Sequence, residues 1–359
     1  MIYAVIMAGG KGERFWPLSS EARPKQLLKI ASDRSMLQVT IDRISTFVPN
    51  ERTVIVAGSN IHDAIAQSCK MIKPENILSE PFGRNTCLAI GYAAIHLQKS
   101  DPEAVMIVLS ADHMITPAVK LVKILKAGTK IASEEDKLIT IGIVPTRAET
   151  GYGYIEMGAE QWEVDGVTVC KVSAFKEKPR AVVAQQYYYD RKHLWNSGMF
   201  IWSAKSLLTA LKKCQPELYA LLAEYGAHIG AADEPEARLK LYKEAESISI
   251  DYAVLEQAEN VLTLKGDFIW DDVGSWLSLQ RFLDTDKEGN VVVGKTVMLD
   301  TFEATVYNDG DGLVATLGIS DIVIAKTGDI VMVAHKTKLD RIKELLAMVA
   351  ADEQLKKYL

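Results

Sequence analysis

Apolar runs of five or six residues alternate with stretches of helical periodicity through the first 145 positions. The strand-like runs are Ile2 to Met7, Thr53 to Ala57, Ala104 to Leu109 and Leu138 to Ile143. Between them, Met36 to Phe47, Ile61 to Met71, Cys87 to Gln98 and Val119 to Ala132 repeat their apolar residues at helical spacing. Strands separated by helices become parallel neighbours through right-handed crossovers, and short unbroken apolar runs suit strands covered on both faces. The pattern predicts an α/β fold, a mostly parallel sheet with helices on both faces. Ligands in such sheets bind at the carboxyl ends of the strands.

After Pro145 the pattern changes. Gly151 to Glu156 and Val172 to Phe175 read as strands of an added sheet, followed by a helix from Arg180 to Tyr189. Asn196-Ser197-Gly198 reads as a turn into the buried strand Met199 to Trp202. Ala204 to Leu222 and Glu234 to Glu246 are helical, and a further helix starts near Ser249. From Asn290 short β-rich segments recur at Val291 to Val293, Ala304 to Tyr307, Val314 to Leu317, Ile322 to Ala325 and Ile330 to Ala334. Gly and Asp turns separate them, which predicts a small β domain. A closing helix runs from Lys338 to about Tyr358. Its stripe of Leu339, Ile342, Leu345, Leu346 and Val349 packs on its own subunit or contributes to a dimer.

Composition narrows the class. A chain of 359 residues is long for one core and suggests two domains. A net charge of −6 argues against a nucleic-acid binder, which carries a basic face. The first apolar run is too short for a signal peptide or a membrane span. The four cysteines, Cys69, Cys87, Cys170 and Cys214, form no C-x-x-C pair, so they read as small buried hydrophobes. A soluble cytoplasmic protein, binding neither nucleic acid nor membrane, is expected.

The candidate chemistry begins where the first strand ends, at Ala8-Gly9-Gly10-Lys11-Gly12-Glu13-Arg14. Glycines let backbone N–H groups approach a ligand closely, and successive N–H groups make an anion-binding concavity. Lys11, Arg14 and Lys25 add positive charge, so the loop reads as a phosphate site. It is not a P-loop, because Gly12 is followed by Glu13. Nor is it a dinucleotide fingerprint: from Gly10 the third glycine position is Phe15, and the second strand runs into Gly58-Ser59-Asn60 without an acid. That removes an NAD-type oxidoreductase. Asp112 follows the strand Ala104 to Leu109 and is the first candidate for magnesium, which takes one or two carboxylates plus phosphate oxygens and water. His113 reads as a local hydrogen-bonding residue. By spacing alone, Asn85 or Thr86 caps the helix that follows.

Gly9-Gly10-Lys11-Gly12-Glu13-Arg14-Phe15-Trp16-Pro17-Leu18-Ser19, with Pro24-Lys25-Gln26, resembles the signature of the sugar-1-phosphate nucleotidylyltransferases, and more narrowly their mannose-1-phosphate guanylyltransferase branch. Glu80-Pro81-Phe82-Gly83-Arg84-Asn85-Thr86, Phe175-Lys176-Glu177-Lys178-Pro179, Trp195-Asn196-Ser197-Gly198, Ser249 to Glu256 and Trp270-Asp271-Asp272-Val273-Gly274-Ser275-Trp276 extend the match over nearly the whole chain. The resemblance implies a Rossmann-like catalytic domain at 1–285, with a nucleotide part to about 145 and a sugar part from about 146. A C-terminal β domain of left-handed β-helix character would occupy 286–359. The longer family members carry a further isomerase domain of cupin type, and this chain is expected to end before one.

By the same resemblance, Arg14 and Lys25 are catalytic and grip the triphosphate. Gly9, Gly10, Gly12, Pro81, Gly83, Asn85, Thr86 and Ser110 bind the nucleotide. Gly153, Glu177, Lys178 and Asn196 bind the sugar phosphate, and the segment from Ser249 buttresses that pocket. Asp112 and Asp272, not Asp271, hold Mg2+. The implied reaction takes GMP from GTP to mannose 1-phosphate by direct attack, without a covalent intermediate, in a homodimer. Another sugar 1-phosphate or nucleoside triphosphate is the alternative. A non-catalytic nucleotide-sugar sensor should have lost one of Arg14, Lys25, Asp112 or Asp272, and all four are present.

Overall fold

The structure is a computed structural model and describes residues 1–10, 12–21, 23–30 and 32–359, so Lys11 lies outside the described residues. The chain forms two compact units that do not follow chain order. The first comprises Met1–Gly9, Thr40–Ala111 and Ile115–Trp270; the second comprises Gly10–Val39, Asp112–Met114 and Asp271–Leu359.

The strands of the first part of the chain are β1 (Ile2–Met7), β2 (Thr53–Gly58), β3 (Ile77–Glu80), β4 (Val105–Ser110), the short β5 (Met114–Thr116), β6 (Leu138–Ile143), β7 (Tyr154–Val164), β8 (Val167–Lys176), β9 (His193–Ser203), β10 (Val261–Gly266) and the short β11 (Ile269–Asp271). Nine of them form one sheet in the order β3-β2-β1-β4-β9-β6-β10-β8-β7. The pairs β3–β2, β2–β1, β1–β4 and β6–β10 are parallel, while β9 runs antiparallel to both its neighbours.

The helices are α1 (Met36–Ile44), α2 (His62–Ser68), α3 (Asn85–Ser100), α4 (Ala118–Glu134), α5 (Ala181–Asp190), α6 (Ala204–Cys214), α7 (Pro216–His228) and α8 (Glu234–Glu244). Alternation along each strand decides which helix it meets. Val5, Met106, Val108, Phe200 and Trp202 pack with buried residues of α3, α6 and α7. Ile201, one position out of phase, faces α4, where Gly128 lets the helix approach. The expected helices on both faces of a mostly parallel sheet are therefore present.

In the second unit, β12 (Val291–Val293), β14 (Thr305–Asp309) and β16 (Ile322–Thr327) stack in parallel, as do β13 (Thr296–Phe302) and β15 (Val314–Ser320). Two parallel stacks fed by one winding chain give a β-helix-like coil. β17 (Ile330–His335) closes it antiparallel on β16, and α9 (Ile342–Ala351) follows. The core of this unit is drawn from both ends of the chain. Phe15, Trp16 and Leu18 of the glycine-loop signature are buried with Trp276, Tyr307, Val323 and Leu339. Phe15 lies 5.5 Å from Trp276, which lies 5.6 Å from Tyr307, and the Trp276 indole donates to the Trp16 carbonyl at 3.1 Å.

Several expectations are corrected. Gly151 to Glu156 and Val172 to Phe175 do not start an added sheet. Tyr154 to Glu156 and Val172 to Phe175 belong to the hairpin β7–β8, turned at Asp165-Gly166 with φ of +50° and +70°, and β8 pairs with β10 of the main sheet, while Gly151 to Gly153 precede the first strand. Asn196-Ser197-Gly198 is not a turn; it lies inside β9, where a register shift against β6 accommodates Gly198 at φ +66°. The helical stretch from Ala204 breaks at Gln215-Pro216, since proline starts a helix better than it continues one. Strand β13 was not expected. The closing α-helix stops at Ala351 and is preceded by a 3-10 turn; Leu339 and Ile342 are buried while Leu345 is exposed.

All four cysteines are free, with Cys69, Cys87 and Cys170 buried. Among the described residues no helix is long and apolar enough to cross a membrane.

Candidate active site

In the second unit the glycine loop bends over Lys25. Gly10 and Gly12 have φ of +99° and +65°, and a Cβ on Gly12 would stand 2.6 Å from that of Lys25. Both conformation and space therefore demand glycine at position 12. Its carbonyl accepts from the Phe15 N–H at 2.9 Å and the Ser19 hydroxyl at 2.6 Å, which fixes the turn that leaves Arg14 exposed.

Lys25 is 8% exposed, and its ammonium reaches two of the acids singled out above. Nζ donates to Asp112 Oδ2 at 2.6 Å and to the backbone carbonyl of Asp272 at 2.8 Å. Burial pushes the Asp112 carboxyl up, but the Lys25 charge, His113 and the hydrogen bond from Lys25 outweigh it and hold the group below its ordinary range. The two neighbouring aspartates differ. Asp271 is buried, forms an ion pair with Arg281 and accepts from the Val273 N–H at 2.8 Å. Asp272 is half-buried, with Oδ1 3.2 Å from the Gly274 N–H. Between them and the glycine stands Val273 at φ +48°, a strained conformation for a β-branched residue.

No group of three His, Cys, Asp or Glu side chains suited to a metal occurs among the described residues. A magnesium ion needs no such cage, since it keeps water and phosphate oxygens and takes one or two carboxylates. Asp112, paired with Lys25, and the half-buried Asp272 are the two carboxylates that the sequence offered for it.

The remaining candidates lie in the first unit. Gly9 follows β1 at the carboxyl end of the sheet, and Ser110 ends β4. Pro81 and Gly83 form the loop between β3 and α3. The spacing-based cap at Asn85 or Thr86 is not what forms. The capping position is Arg84, Asn85 stands at φ +64° with Oδ1 accepting from the Thr86 N–H, and Thr86 Oγ1 instead accepts from the Ile250 N–H at 2.9 Å.

Gly153, Glu177 and Asn196 come together. A Cβ on Gly153 would lie 3.1 Å from Glu177 Oε2, and the Asn196 N–H donates to the Gly153 carbonyl at 2.8 Å. Lys178 is exposed and pairs with Glu177 at 2.8 Å. Sequence reasoning missed Asp251 here. The Asn196 amide donates to Asp251 Oδ1 at 2.8 Å and accepts from the Gly198 N–H at 3.2 Å, so its orientation is set from both ends. Asp251 opens a π-helical turn, Asp251–Leu255, a form frequent at functional sites. Its pKa is raised by burial first and by the Glu177 charge, against the lowering from Asn196. An acid at a helix start is commonplace in sequence, and only the fold brings it to Asn196.

Comparison with known proteins gives the family of the chain. The nucleotidyl transferase profile matches residues 3–288, and that of the MannoseP isomerase/GMP-like beta-helix domain matches residues 294–348. Mannose-1-phosphate guanylyltransferase 2 of Escherichia coli O157:H7 is 35% identical over 98% of this chain and 74% of its own length. Mannose-1-phosphate guanylyltransferase of Escherichia coli K12 is 36% identical over the same shares. A solved structure from Thermus thermophilus, described as a mannose-1-phosphate geranyltransferase, is 34% identical and superposes with a TM-score of 0.87, covering 97% of this chain and 99% of the other. The chain thus belongs to the nucleotidyl transferase family, alongside the mannose-1-phosphate guanylyltransferases.

Proposed function

We propose that this enzyme transfers GMP from GTP to mannose 1-phosphate, releasing pyrophosphate and giving GDP-mannose. The observation that carries the reading is Lys25, held between Asp112 Oδ2 and the Asp272 carbonyl beneath a glycine loop that ends in Arg14. The names of the relatives supply the choice of guanine and mannose.

The nucleophile is a phosphate oxygen of the sugar 1-phosphate, whose second pKa near 6 leaves it largely ionised at neutral pH. It attacks the α-phosphorus; the bond from that phosphorus to the oxygen bridging the β-phosphate breaks, and pyrophosphate leaves with the electron pair. No general base is needed. The obstacle is bringing two polyanions together, so the work of the chain is positioning and charge neutralisation. Arg14 and Lys25 neutralise the triphosphate, and Gly9, Gly10, Gly12 and Ser110 let backbone groups approach it. Pro81, Gly83, Asn85 and Thr86 line the base. Gly153, Glu177 and Asn196 hold the sugar hydroxyls and Lys178 its phosphate. Mg2+ would be held by Asp112 and Asp272 and would supply further charge neutralisation to the phosphates.

Residues 1–285 carry these roles, and 286–359 form the supporting β domain. The reaction belongs in the cytoplasm. A homodimer is supported by exposed aliphatic side chains on β13, β15 and α9, including Leu299, Leu317 and Met348; a monomeric mass in light scattering would remove it. The reaction itself is tested by pyrophosphate release from a grid of nucleoside triphosphates against hexose 1-phosphates, with and without chelator. A maximum at GTP with mannose 1-phosphate supports it, and a maximum elsewhere assigns another pair. Label retained on the protein after incubation with α-labelled GTP alone would contradict direct transfer.

A further inference from the structure

The loop on the sugar side carries a cation that the reaction as described leaves unused. Residues 144–153 join β6 to β7 without helix or strand, yet they bring Gly153 to Glu177 and Asn196. Arg147, 33% exposed, lies over two aromatic rings, 5.0 Å from the centroid of Trp195 and 5.7 Å from that of Tyr152. Its Nε donates to Glu149 Oε2 at 3.0 Å, and a terminal nitrogen donates to the Tyr152 hydroxyl at 3.4 Å. The other carboxylate oxygen, Glu149 Oε1, accepts from the Gly151 N–H at 3.1 Å. The Tyr154 hydroxyl grips the same residue by its backbone, donating to the Glu149 carbonyl at 2.8 Å and accepting from the Glu149 N–H at 3.0 Å. Trp195 is buried, and its indole N–H makes no hydrogen bond among the described residues. Its ring is therefore set by packing, against Tyr152 at 5.3 Å and Trp270 at 6.3 Å, and by the guanidinium.

Partly exposed ion pairs contribute little to stability, so the value of these contacts is geometric. Tyr152 precedes Gly153 and Trp195 precedes Asn196, so Arg147 touches the residue before each of two sugar-side groups. The Asn196 N–H in turn donates to the Gly153 carbonyl at 2.8 Å. A guanidinium suits this place because its face stacks on rings while its edge donates, which an ammonium cannot do.

We propose that Arg147 is a positioning residue for the sugar phosphate: with Glu149 it clasps the loop and fixes Gly153 against Asn196 and Glu177. The inference rests on the sugar-side roles given above and adds the residues that set their geometry. Direct capture of the phosphate by the Arg147 charge has the opposite consequence at Glu149. If charge governs, removing a carboxylate near a dianion strengthens binding. If Glu149 is half of a clasp, Glu149→Gln weakens binding, because the single oxygen of a carboxamide cannot serve both Arg147 and the Gly151 N–H.

The test measures KM for mannose 1-phosphate and for GTP in wild type, Arg147→Met, Arg147→Lys and Glu149→Gln, with urea unfolding to show that each is folded. KM for mannose 1-phosphate should rise by about 10-fold in Arg147→Met, the loss of one charge-assisted hydrogen bond, and by about 3-fold or more in the other two. KM for GTP should stay within about 2-fold of wild type. Three results overturn the proposal: a KM for mannose 1-phosphate that Arg147→Lys leaves at the wild-type value, one that Glu149→Gln leaves unchanged or lowers, and a rise in both KM values together, which marks a general loosening of the fold. Should Arg147→Met misfold, the two conservative variants decide by the same criteria. A wild type that prefers another sugar 1-phosphate removes mannose from the reading above, while the same KM split, measured with that sugar phosphate, still decides on the clasp.

Discussion

The ammonium of Lys25 lies 2.6 Å from Asp112 Oδ2, across 87 residues of chain. The same nitrogen takes the Asp272 carbonyl, 247 residues away. One cation thus ties together the two acids that sequence motifs single out separately.

Removing that cation should damage stability and turnover by different routes. Lys25→Met leaves Asp112 without its charge partner, which costs up to about 3–5 kcal/mol where the pair is fully buried and less here, since Asp112 is partly exposed. Adding Asp112→Asn should recover most of that loss in urea unfolding. Pyrophosphate release should stay depressed by about 100-fold or more in both proteins. Recovery of activity with stability would make the pair a structural one.

Asp271 and Asp272 should separate in the opposite sense. Asp271→Asn weakens the buried pair with Arg281 and should lower unfolding free energy by about 2–4 kcal/mol. Asp272→Ala should unfold within about 1 kcal/mol of wild type, as partly exposed substitutions do, and yet lose nearly all turnover. Near-wild-type rates for Asp272→Ala would take it out of the site.

Asp251 should act through Asn196. Asp251→Ala removes the acceptor that orients the Asn196 amide, so KM for the sugar phosphate should rise by about 10-fold, the worth of one hydrogen bond to a charged acceptor. KM for the nucleotide should not move. A parallel rise in both, or a loss of stability without a KM change, would assign Asp251 to the scaffold alone.

Glu80 gives the protein a pH signature. Its folded pKa, about 7, lies above the ordinary 4.5 because burial penalises the carboxylate. The folded state therefore holds the proton more tightly than the unfolded chain. Stability from this group is fully present below about pH 4.5 and is lost as pH rises through 7. Glu80→Gln has no proton to lose, so its stability relative to wild type should grow by about 2–3 kcal/mol between pH 5 and pH 8. Denaturant unfolding at the two pH values checks this; a constant difference would mean that Glu80 titrates normally.

The sheet and its helices were legible because buried strands such as Ile2–Met7 and Leu138–Ile143 are unbroken apolar runs. The β7–β8 hairpin was not, since its far half, including Glu160, Gln161 and Glu163, is exposed and polar and offers no apolar signal. The makeup of the second unit was equally hidden. Phe15, Trp16 and Trp276 sit in motifs that read as chemistry, but their side chains build the core behind the phosphate loop. Lys25, Asp112 and Asp272 were nameable from their motifs, whereas their convergence needed coordinates. Asp251 and Glu80 lay inside the quoted motifs but were not singled out, because an acid at a helix start or a strand end has many ordinary uses.

The most direct measurement is steady-state pyrophosphate release by Asp112→Ala, with GTP, mannose 1-phosphate and a magnesium titration, beside its thermal unfolding. The expected result is a rate lowered by about 100-fold or more at every magnesium concentration, with a cooperative transition retained. Turnover near that of wild type would contradict charge neutralisation around Asp112 and Lys25 as the basis of catalysis.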